Sequence, residues 1–427
     1  MDDRIINLST LRTRFPALNQ QDEMGRPYVY FDGPGGTQVP QVVIDAMADY
    51  FKRTNANCGG SFITSRRNDE MIVQARIAMA DFLNAGSERE IIFGANMTTL
   101  TFGFSRAIGR MLKPGDEIIV TNLDHDANIS PWLTLQEKGI VVKWANFNVS
   151  DCRLDLEHLS TLLSKKTRLV ALGYASNAVG TINPIKKIAS MAHTTGAWVW
   201  VDAVHYAPHG AIDVHDIDCD FLVCSAYKFF GPHVGAAWGR PDLLERLAAY
   251  KVRPANPNPP HKFETGTLNH EGLAGIAAAI DYLAEIGRAY GTDPALEGIN
   301  IKNYKGRRKE LKQAMGIIAS YERPLFAYMV TELEKIPGIR MYGILNPAEF
   351  DERCPTLAFT RQGQTPGAVA NDLAKRGIFV WHGNYYALAV TQRLGVEDTG
   401  GMVRVGLAHY NTKEEVDRFL AGLKNEI

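Results

Sequence analysis

Six short apolar runs, spaced through the middle of the chain, constrain its fold more than any other feature. They are rich in β-branched and aromatic residues and lie at 91–93, 117–120, 140–144, 169–172, 197–201 and 221–224. Helical patterns separate them, for example at 99–111, 156–163 and 185–193. Short continuous apolar runs are typical of strands buried on both faces, and their alternation with helices favours a mostly parallel sheet. We therefore expect an α/β fold.

The composition changes after this region. Residues 253–260 include four prolines and predict a long loop. Beyond it, the patterns predict helices at 271–286, 304–336, 367–375 and 413–423, and strands at 356–360 and 378–381. A chain of 427 residues suits more than one domain. We predict an N-terminal segment, 1–24, whose helix at 8–15 packs on the small domain, a large domain at 25–300 and a smaller α+β domain at 301–427.

Charge and cysteine content exclude several classes of protein. The net charge of −1 gives no footprint for nucleic acid or an anionic membrane, and no apolar run is long enough to span a bilayer. The N-terminus lacks the pattern of a secretory signal. Five scattered cysteines favour a reducing compartment, so we expect a cytoplasmic protein. Cys219 and Cys224 alone make a poor zinc site, and no metal site is predicted.

Polar side chains follow five of the apolar runs. In chain order they are Asn96, Thr98 and Thr99; Asp124 and His125; Ser176 and Asn177; Asp202 and His205; and Ser225, Tyr227 and Lys228. The carboxyl ends of parallel strands meet at one edge of a sheet, and ligands bind there. The five groups together predict a site for a polar cofactor.

Lys228 is the most informative of these residues. A loop lysine is usually solvated, but this one lies between a buried strand and Phe229 and Phe230, and a desolvated lysine is a usable nucleophile. Asp202 is either a strand-end cap or a buried partner for a pyridinium nitrogen.

Two further positions also have two interpretations. Thr98 and Thr99 are either a plain helix cap or a phosphate site at a helix start. His125 is either a core histidine or a ring stacked on a flat ligand.

These motifs resemble the class V aminotransferase family of pyridoxal-5′-phosphate (PLP) enzymes of fold type I, and most closely its cysteine desulfurase and selenocysteine lyase branch. The segments that carry the resemblance are 96–99, 124–128, 176–184, 201–205, 225–228, 263–269 and 403–412. It extends from about Tyr28 to the C-terminal helix. The resemblance implies PLP as cofactor, a mixed, mostly parallel sheet between helices in the large domain, and a smaller α+β domain.

The resemblance also implies a role for each matching residue around the cofactor ring. Lys228 would hold PLP as a Schiff base and move the proton at the substrate α-carbon. Asp202 would pair with the pyridine nitrogen, His205 would hydrogen-bond the phenolic oxygen, and His125 would stack on the ring. Catalytic roles are thus expected for Lys228, Asp202 and His125.

The remaining implied roles concern the phosphate and the substrate. Thr99, Ser225 and Tyr227 would hold the phosphate together with Thr98, and Thr267 would reach the phosphate of a neighbouring subunit, which implies a homodimer with shared sites. Arg404 would bind the substrate carboxylate beside Asn177, which also contacts the cofactor. Gly35 and Tyr386 complete the expected substrate-binding residues.

The chain departs from the desulfurase pattern at 380–387. Trp381 occupies the position of an arginine in that branch, and Tyr386 occupies the position of the cysteine that accepts sulfur. A phenol cannot accept sulfur, so Tyr386 is either a proton donor or a packing residue. The nearest other cysteine, Cys354, falls before a strand. The catalytic cysteine is therefore expected to be missing.

We expect a lyase that removes a β-substituent (a C–S group, a sulfinate or a β-carboxylate) from a small amino acid without forming a persulfide. The alternatives are an aminotransferase, an epimerase, a decarboxylative enzyme that forms carbon–carbon bonds, and a non-catalytic PLP-binding protein. Neither a nucleic acid nor a membrane is expected as a partner.

Overall fold

The computed structural model describes residues 8–291 and 301–424. Its helices are α1 (Leu8–Arg12), α2 (Gln41–Arg53), α3 (Ile63–Leu83), α4 (Met97–Gly109), α5 (Ser130–Leu133), α6 (Leu156–Leu162), α7 (Ile185–His193), α8 (Pro241–Arg246), α9 (His270–Tyr290), α10 (Gly306–Glu334), α11 (Pro366–Ala374), α12 (Leu388–Arg393) and α13 (Lys413–Lys424). Its strands are β1 (Val29–Tyr30), β2 (Ile91–Gly94), β3 (Glu117–Thr121), β4 (Val141–Ala145), β5 (Thr167–Gly173), β6 (Trp198–Asp202), β7 (Phe221–Ser225), β8 (Gly235–Gly239), β9 (Ile339–Tyr342), β10 (Thr356–Arg361), β11 (Ile378–Phe379), β12 (Trp381–Gly383) and β13 (Met402–Gly406).

All six predicted strands lie in one seven-stranded sheet, ordered β2-β8-β7-β6-β5-β3-β4. The strands from β7 to β4 are parallel, and β8 is antiparallel to both of its neighbours. The mixed, mostly parallel sheet expected from the family is thus confirmed. The sequence analysis missed β8 because glycine and alanine, which supply four of its five residues, have low strand propensity.

The sheet is buried between two layers of helices. Alternate residues of β6 show this arrangement, because Val199 and Val201 pack into a core with α3, α9 and the start of α10, whereas Trp200 packs into a second core with α4 and α5. The edge strand β4 is the exception. Its Val141 is exposed, so the expectation of burial on both faces was wrong for this strand.

A four-stranded antiparallel sheet, ordered β12-β13-β10-β9, forms a third core with α11, α13 and the second half of α10. The predicted single strand at 378–381 is in fact two strands. Ile378–Phe379 pairs with β1, and Trp381–Gly383 pairs with β13. Because these partners belong to different sheets, the chain must change sheets at Val380.

Two elements connect the predicted domains. Helix α10, roughly 44 Å long at 1.5 Å per residue, contributes Ile317 to the large core and Leu333 to the C-terminal core. Just after α1, Phe15 lies 5.6 Å from the Tyr282 ring of α9, whereas Arg12 in α1 forms a 2.9 Å ion pair with Glu415 of α13. Residues 1–7, part of the predicted N-terminal segment, lie outside the described residues, as do 292–300 around the predicted domain boundary.

Candidate active site

The polar residues that follow β2, β3, β5, β6 and β7 meet at one edge of the large sheet, around two adjoining cavities. An inner cavity of about 60 Å³ and an outer cavity of about 870 Å³ share five lining residues, namely Thr98, His125, Asn177, Tyr227 and Lys228. Parallel strands end at this edge, which explains why residues so distant in sequence converge there.

Lys228 lies between the two cavities and is almost completely buried. Its Nζ donates a hydrogen bond to the carbonyl oxygen of Pro34 and lies 5.0 Å from the centroid of the Tyr227 ring. Burial, with the nearby charge of Arg404, lowers the pKa of this amine to about 7. A substantial fraction of Lys228 is therefore an uncharged nucleophile near neutral pH.

Two buried carboxyl groups line the inner cavity. Asp202, at the end of β6, accepts a 2.9 Å hydrogen bond from the Val204 amide, and burial raises its pKa to about 6. Asp124 accepts hydrogen bonds from Thr121 Oγ1, at 2.7 Å, and from the Gly173 amide; burial, reinforced by repulsion from Asp202, raises its pKa to about 7. A cationic ring nitrogen in this cavity would stabilise the ionised form of Asp202.

His125 lines both cavities as a neutral ring. Its Nδ1 accepts a 2.9 Å hydrogen bond from the Ala127 amide, and burial lowers its pKa to about 4. The ring stacks on Tyr386 with 5.6 Å between centroids and 20° between planes. Tyr386 itself is 74% exposed at the rim of the outer cavity.

His205 lines the inner cavity and is held from the second sheet. Its Nε2 lies 3.0 Å from Oγ1 of Thr356 in β10, and burial lowers its pKa. No pattern in the sequence indicated that Thr356 would orient a histidine of the large sheet.

Only some of the predicted phosphate ligands line the cavities of their own chain. Thr98 and Tyr227 do, whereas Thr99 is exposed and its hydroxyl donates to Asn96 Oδ1 at 3.0 Å. Successive helical side chains are about 100° apart, so adjacent threonines face different directions. Ser225 is buried and is not among the described lining residues, and its hydroxyl accepts a 3.0 Å hydrogen bond from the Met97 amide at the start of α4.

Thr267 lies elsewhere. It lines a separate cavity of about 780 Å³, together with Cys58 and Arg76. Among the described lining residues, this cavity shares none with the two around Lys228.

Arg404, in the middle of β13, reaches the outer cavity from the second sheet. Its Nη1 donates a 2.8 Å hydrogen bond to the Asn177 carbonyl oxygen, and its Cζ lies 4.3 Å from the centroid of the Tyr385 ring. Burial lowers its pKa to about 10, so the guanidinium stays charged.

Asp32 was missed by the sequence analysis. Burial raises its pKa to about 6, against the opposing charges of Arg404 and Lys228. It follows the two-residue strand β1, which carries too few residues to give a strand signal.

Gly35 is covered by the indole of Trp381. A Cβ at this position would overlap the indole, so glycine leaves room for the ring in its present place. Trp381 is half-exposed and lines the outer cavity together with Gly35.

The loop after β12 is held in a strained form. Tyr385 and Tyr386 have φ values of 56° and 58°, a left-handed conformation that costs side-chain-bearing residues about 1–3 kcal/mol each. The Asn177 side chain donates to the Tyr385 carbonyl oxygen at 3.0 Å, and the Asp126 amide donates to that of Tyr386 at 2.6 Å. These bonds hold both tyrosines at the cavity.

Two residues that line the outer cavity keep an unpaired polar atom, which fits a bound polar group. Asn177 Oδ1 and Arg404 Nε are buried without a hydrogen-bond partner. With a buried lysine, a strand-end carboxylate and a neutral imidazole, they match the needs of PLP, which has an aldehyde, a ring nitrogen and a flat face. Fold and site together define a PLP-dependent enzyme of fold type I.

Comparison with known proteins identifies the family. The model of the family "Aminotransferase class-V" matches residues 29–293 and 310–419, so the chain belongs to the class V aminotransferase family. A probable cysteine desulfurase of Synechocystis sp. is 34% identical, over 98% of this chain and 95% of its own length. An aminotransferase-like protein FGM3 of Gibberella zeae is 33% identical, over 99% of both chains.

Solved structures agree with this assignment. The apo structure of a cysteine desulfurase from Thermococcus onnurineus has a TM-score of 0.84 at 26% identity, over 98% of both chains. The cysteine desulfurase CsdA of Escherichia coli has a TM-score of 0.81 at 27% identity, also over 98% of both chains. The protein is therefore a PLP-dependent, cysteine desulfurase-like enzyme.

The described residues contain neither a candidate metal-binding cluster nor a candidate membrane-spanning helix. Within residues 8–291 and 301–424, no cluster of His, Cys, Asp and Glu side chains could hold a metal ion. In the same ranges, no helix combines the length and apolar character needed to cross a membrane.

Proposed function

We propose that the protein is a lyase that removes a β-substituent from an amino acid, a C–S group, a sulfinate or a β-carboxylate, without a persulfide-forming cysteine. One observation carries the proposal: none of the five cysteines is among the described residues that line the two cavities around Lys228. Four are buried elsewhere, and Cys58 lines the separate cavity that contains Thr267. Sulfur transfer to a protein thiol therefore has no acceptor within this chain's own site.

Different site residues bind the substrate and move its proton. Arg404, with Asn177 beside it, binds the substrate carboxylate, and a guanidinium suits this two-oxygen group better than an ammonium. Lys228 holds the cofactor at rest and afterwards, as a neutral amine, takes the proton from the α-carbon. When bound, PLP supplies an electron-withdrawing ring that disperses the negative charge left on that carbon.

Three further residues support this chemistry. Asp202 would hold a proton on the ring nitrogen of the cofactor, and His125 would lie against its ring. Tyr386 or Lys228 donates the proton that the leaving group requires. Tyr386 is well placed for this because its ring stacks on His125 at the rim of the outer cavity.

We also propose that the enzyme works in the cytoplasm as a homodimer that shares its active sites. Five free cysteines suit a reducing compartment. Thr267 lines neither of the two cavities around its own chain's Lys228, which supports a contribution to the site of a second chain.

The first experiment is the visible absorption spectrum of the PLP-loaded protein, before and after addition of L-cysteine, cysteine sulfinate and aspartate. We expect a visible cofactor band that one of these amino acids shifts, with release of pyruvate or alanine and of sulfide, sulfite or carbon dioxide. Lys228→Ala should lose both the band and the turnover. Cys58→Ser should keep the wild-type rate within about twofold, because the serine leaves the site intact.

Two results would contradict this function. If Cys58→Ser, or alkylation of the thiols, abolished sulfur release while the cofactor band remained, the result would indicate that a cysteine accepts the sulfur as a persulfide. If turnover required a ketoacid acceptor, the enzyme would be an aminotransferase.

A further inference from the structure

Large aromatic side chains line the outer cavity, and two of them are exposed. The described lining residues include Phe102, Trp381, Tyr385 and Tyr386, of which Trp381 is 50% and Tyr386 74% exposed. Exposed aromatic rings grouped in a concave site are typical of surfaces that bind an apolar or aromatic group.

The strand register places one of these rings beside the carboxylate-binding residue. Trp381 in β12 is the direct partner of Arg404 in the antiparallel β12–β13 pair. Directly opposed residues have their Cβ atoms about 5 Å apart, on the same face of the sheet. The carboxylate and the side chain of an amino acid leave the same carbon atom, so a substrate bound to Arg404 has its side chain within reach of the indole.

The ring of Tyr385 and the backbone of Tyr386 are both held by hydrogen bonds. The Tyr385 hydroxyl donates to the Met402 carbonyl oxygen, and the Tyr386 amide donates to Asn384 Oδ1 at 3.1 Å. The Asn384 side chain in turn donates to Glu397 Oε1 at 3.0 Å. A wall held in this way is organised before the substrate arrives, which lowers the cost of binding.

The charges along the cavity disfavour an acidic side chain. Lys228 and Arg404 are the only lysine and arginine among the described lining residues, and both already have a function. Asp126 and Glu397 add two carboxyl groups to the same wall. Arg66 and Arg67 are exposed on α3 and are not among those lining residues, so neither adds a positive charge to this wall.

We propose that the substrate is an S-substituted cysteine whose sulfur carries an aromatic or bulky apolar group, and that Trp381 and Tyr386 select it. This inference rests on the lyase function proposed above and narrows it. Lys228 takes the α-proton, and the Cβ–S bond breaks with its electron pair on sulfur. The sulfur then takes a proton and leaves as a thiol, and water converts the remaining three-carbon fragment into pyruvate and ammonia.

The test compares kcat/KM of the PLP-loaded enzyme for S-phenyl-L-cysteine and S-methyl-L-cysteine, from the pyruvate released, and for cysteine sulfinate, from the alanine and sulfite released. We expect S-phenyl-L-cysteine to be preferred over both others by about tenfold or more. Trp381→Ala should lose about tenfold or more for S-phenyl-L-cysteine and less than about threefold for S-methyl-L-cysteine, because only the larger substituent reaches the indole.

A matched control is Tyr250→Ala. Tyr250 is another half-exposed aromatic residue beside an arginine, Arg110, but it is not among the described residues of the cavity wall. Its removal should leave the substrate preference unchanged. Equal losses for both cysteine derivatives in Trp381→Ala, or a wild-type preference for the sulfinate, would overturn the proposal.

Exchange of the α-hydrogen in heavy water, followed by NMR, separates this proposal from the lyase function. Exchange needs Lys228 and Arg404 but no leaving group, and we expect L-phenylalanine to exchange faster than L-aspartate. If L-phenylalanine exchanges faster than L-aspartate but S-phenyl-L-cysteine releases no pyruvate, the aromatic selectivity stands and the lyase reaction is overturned. If L-aspartate exchanges as fast as L-phenylalanine while cysteine sulfinate releases alanine and sulfite, the lyase reaction stands and the selectivity is overturned.

Discussion

Lys228 shows how competing effects set the chemistry of a single residue. Burial is the largest influence on its pKa, and Arg404 lowers that pKa further, whereas Asp202 and Asp32 oppose both. Because burial and Arg404 prevail, the pKa falls to about 7 from an ordinary value of 10.5. The amine can then attack an aldehyde near neutral pH.

This balance predicts the pH dependence of cofactor capture. In protein stripped of PLP, the rate at which the visible band forms after PLP addition should rise with pH through a midpoint near 7, since Lys228 is protonated and unreactive below it. Arg404→Gln should move the midpoint upward, because a neutral side chain no longer repels the ammonium. Arg404→Lys keeps the charge and is the control, and rapid-mixing absorption measures the rates. A wild-type midpoint above about 9, as for an exposed lysine, would contradict the assigned burial of Lys228.

Sequence reasoning reaches some of these residues and not others. Lys228, Asp202 and His125 were found because each follows an apolar run that forms a strand. Asp32 follows a strand of two residues, too short to leave a pattern. Thr98 and Thr99 could not be separated, since the direction of each side chain depends on where α4 begins.

At the level of elements, the two sheets meet along a seam between residues 180–182 and 352–354. The Cys354 amide donates to the Gly180 carbonyl oxygen at 2.8 Å, and the Ile182 amide donates to that of Glu352 at 2.9 Å. The buried Arg353 adds a 3.0 Å bond to the Val179 carbonyl oxygen. Strand β10 begins just after this seam, and its Thr356 forms the hydrogen bond with His205. A pattern confined to one strand cannot predict such a junction, because its contacts join segments far apart in sequence.

Substitution of two glycines tests how tightly the seam is packed. Gly180 and Gly196 have nearly equal φ values, 80° and 77°, but a Cβ on Gly180 would lie 2.7 Å from the Thr356 carbonyl oxygen, whereas one on Gly196 would have no atom within 4 Å. Gly196→Ala should cost about 1 kcal/mol of unfolding free energy from backbone strain alone. Gly180→Ala should cost about 2–3 kcal/mol more, because the seam must open. Urea unfolding measures both, and equal losses would mean that the seam tolerates the extra carbon.

At the level of the whole molecule, the position of Thr267 supports the proposal that two chains contribute to one site. Within one chain it lines a different cavity from Lys228. The resemblance to class V enzymes implies that Thr267 serves the phosphate of a second chain. A lone chain would then hold an incomplete site, and neither fold nor composition reveals this without the partner.

Mixed dimers test this arrangement. Lys228→Ala and Thr267→Ala should each be impaired alone, but a mixed dimer has one site with both residues intact. Random pairing of equal amounts should therefore restore about a quarter of wild-type turnover. Lys228→Ala mixed with Asp202→Ala is the matched control and should restore none, because both residues belong to the same chain's cavity. Failure of the first mixture, or recovery in the second, would contradict shared sites.

The close contact between Gly35 and Trp381 also couples substitutions at these two positions. A Cβ on residue 35 would overlap the indole, so any side chain there requires the half-exposed ring to turn away from its present place. The cost of a substitution at residue 35 therefore depends on whether residue 381 is a tryptophan, and the effects of changing both residues should not be additive.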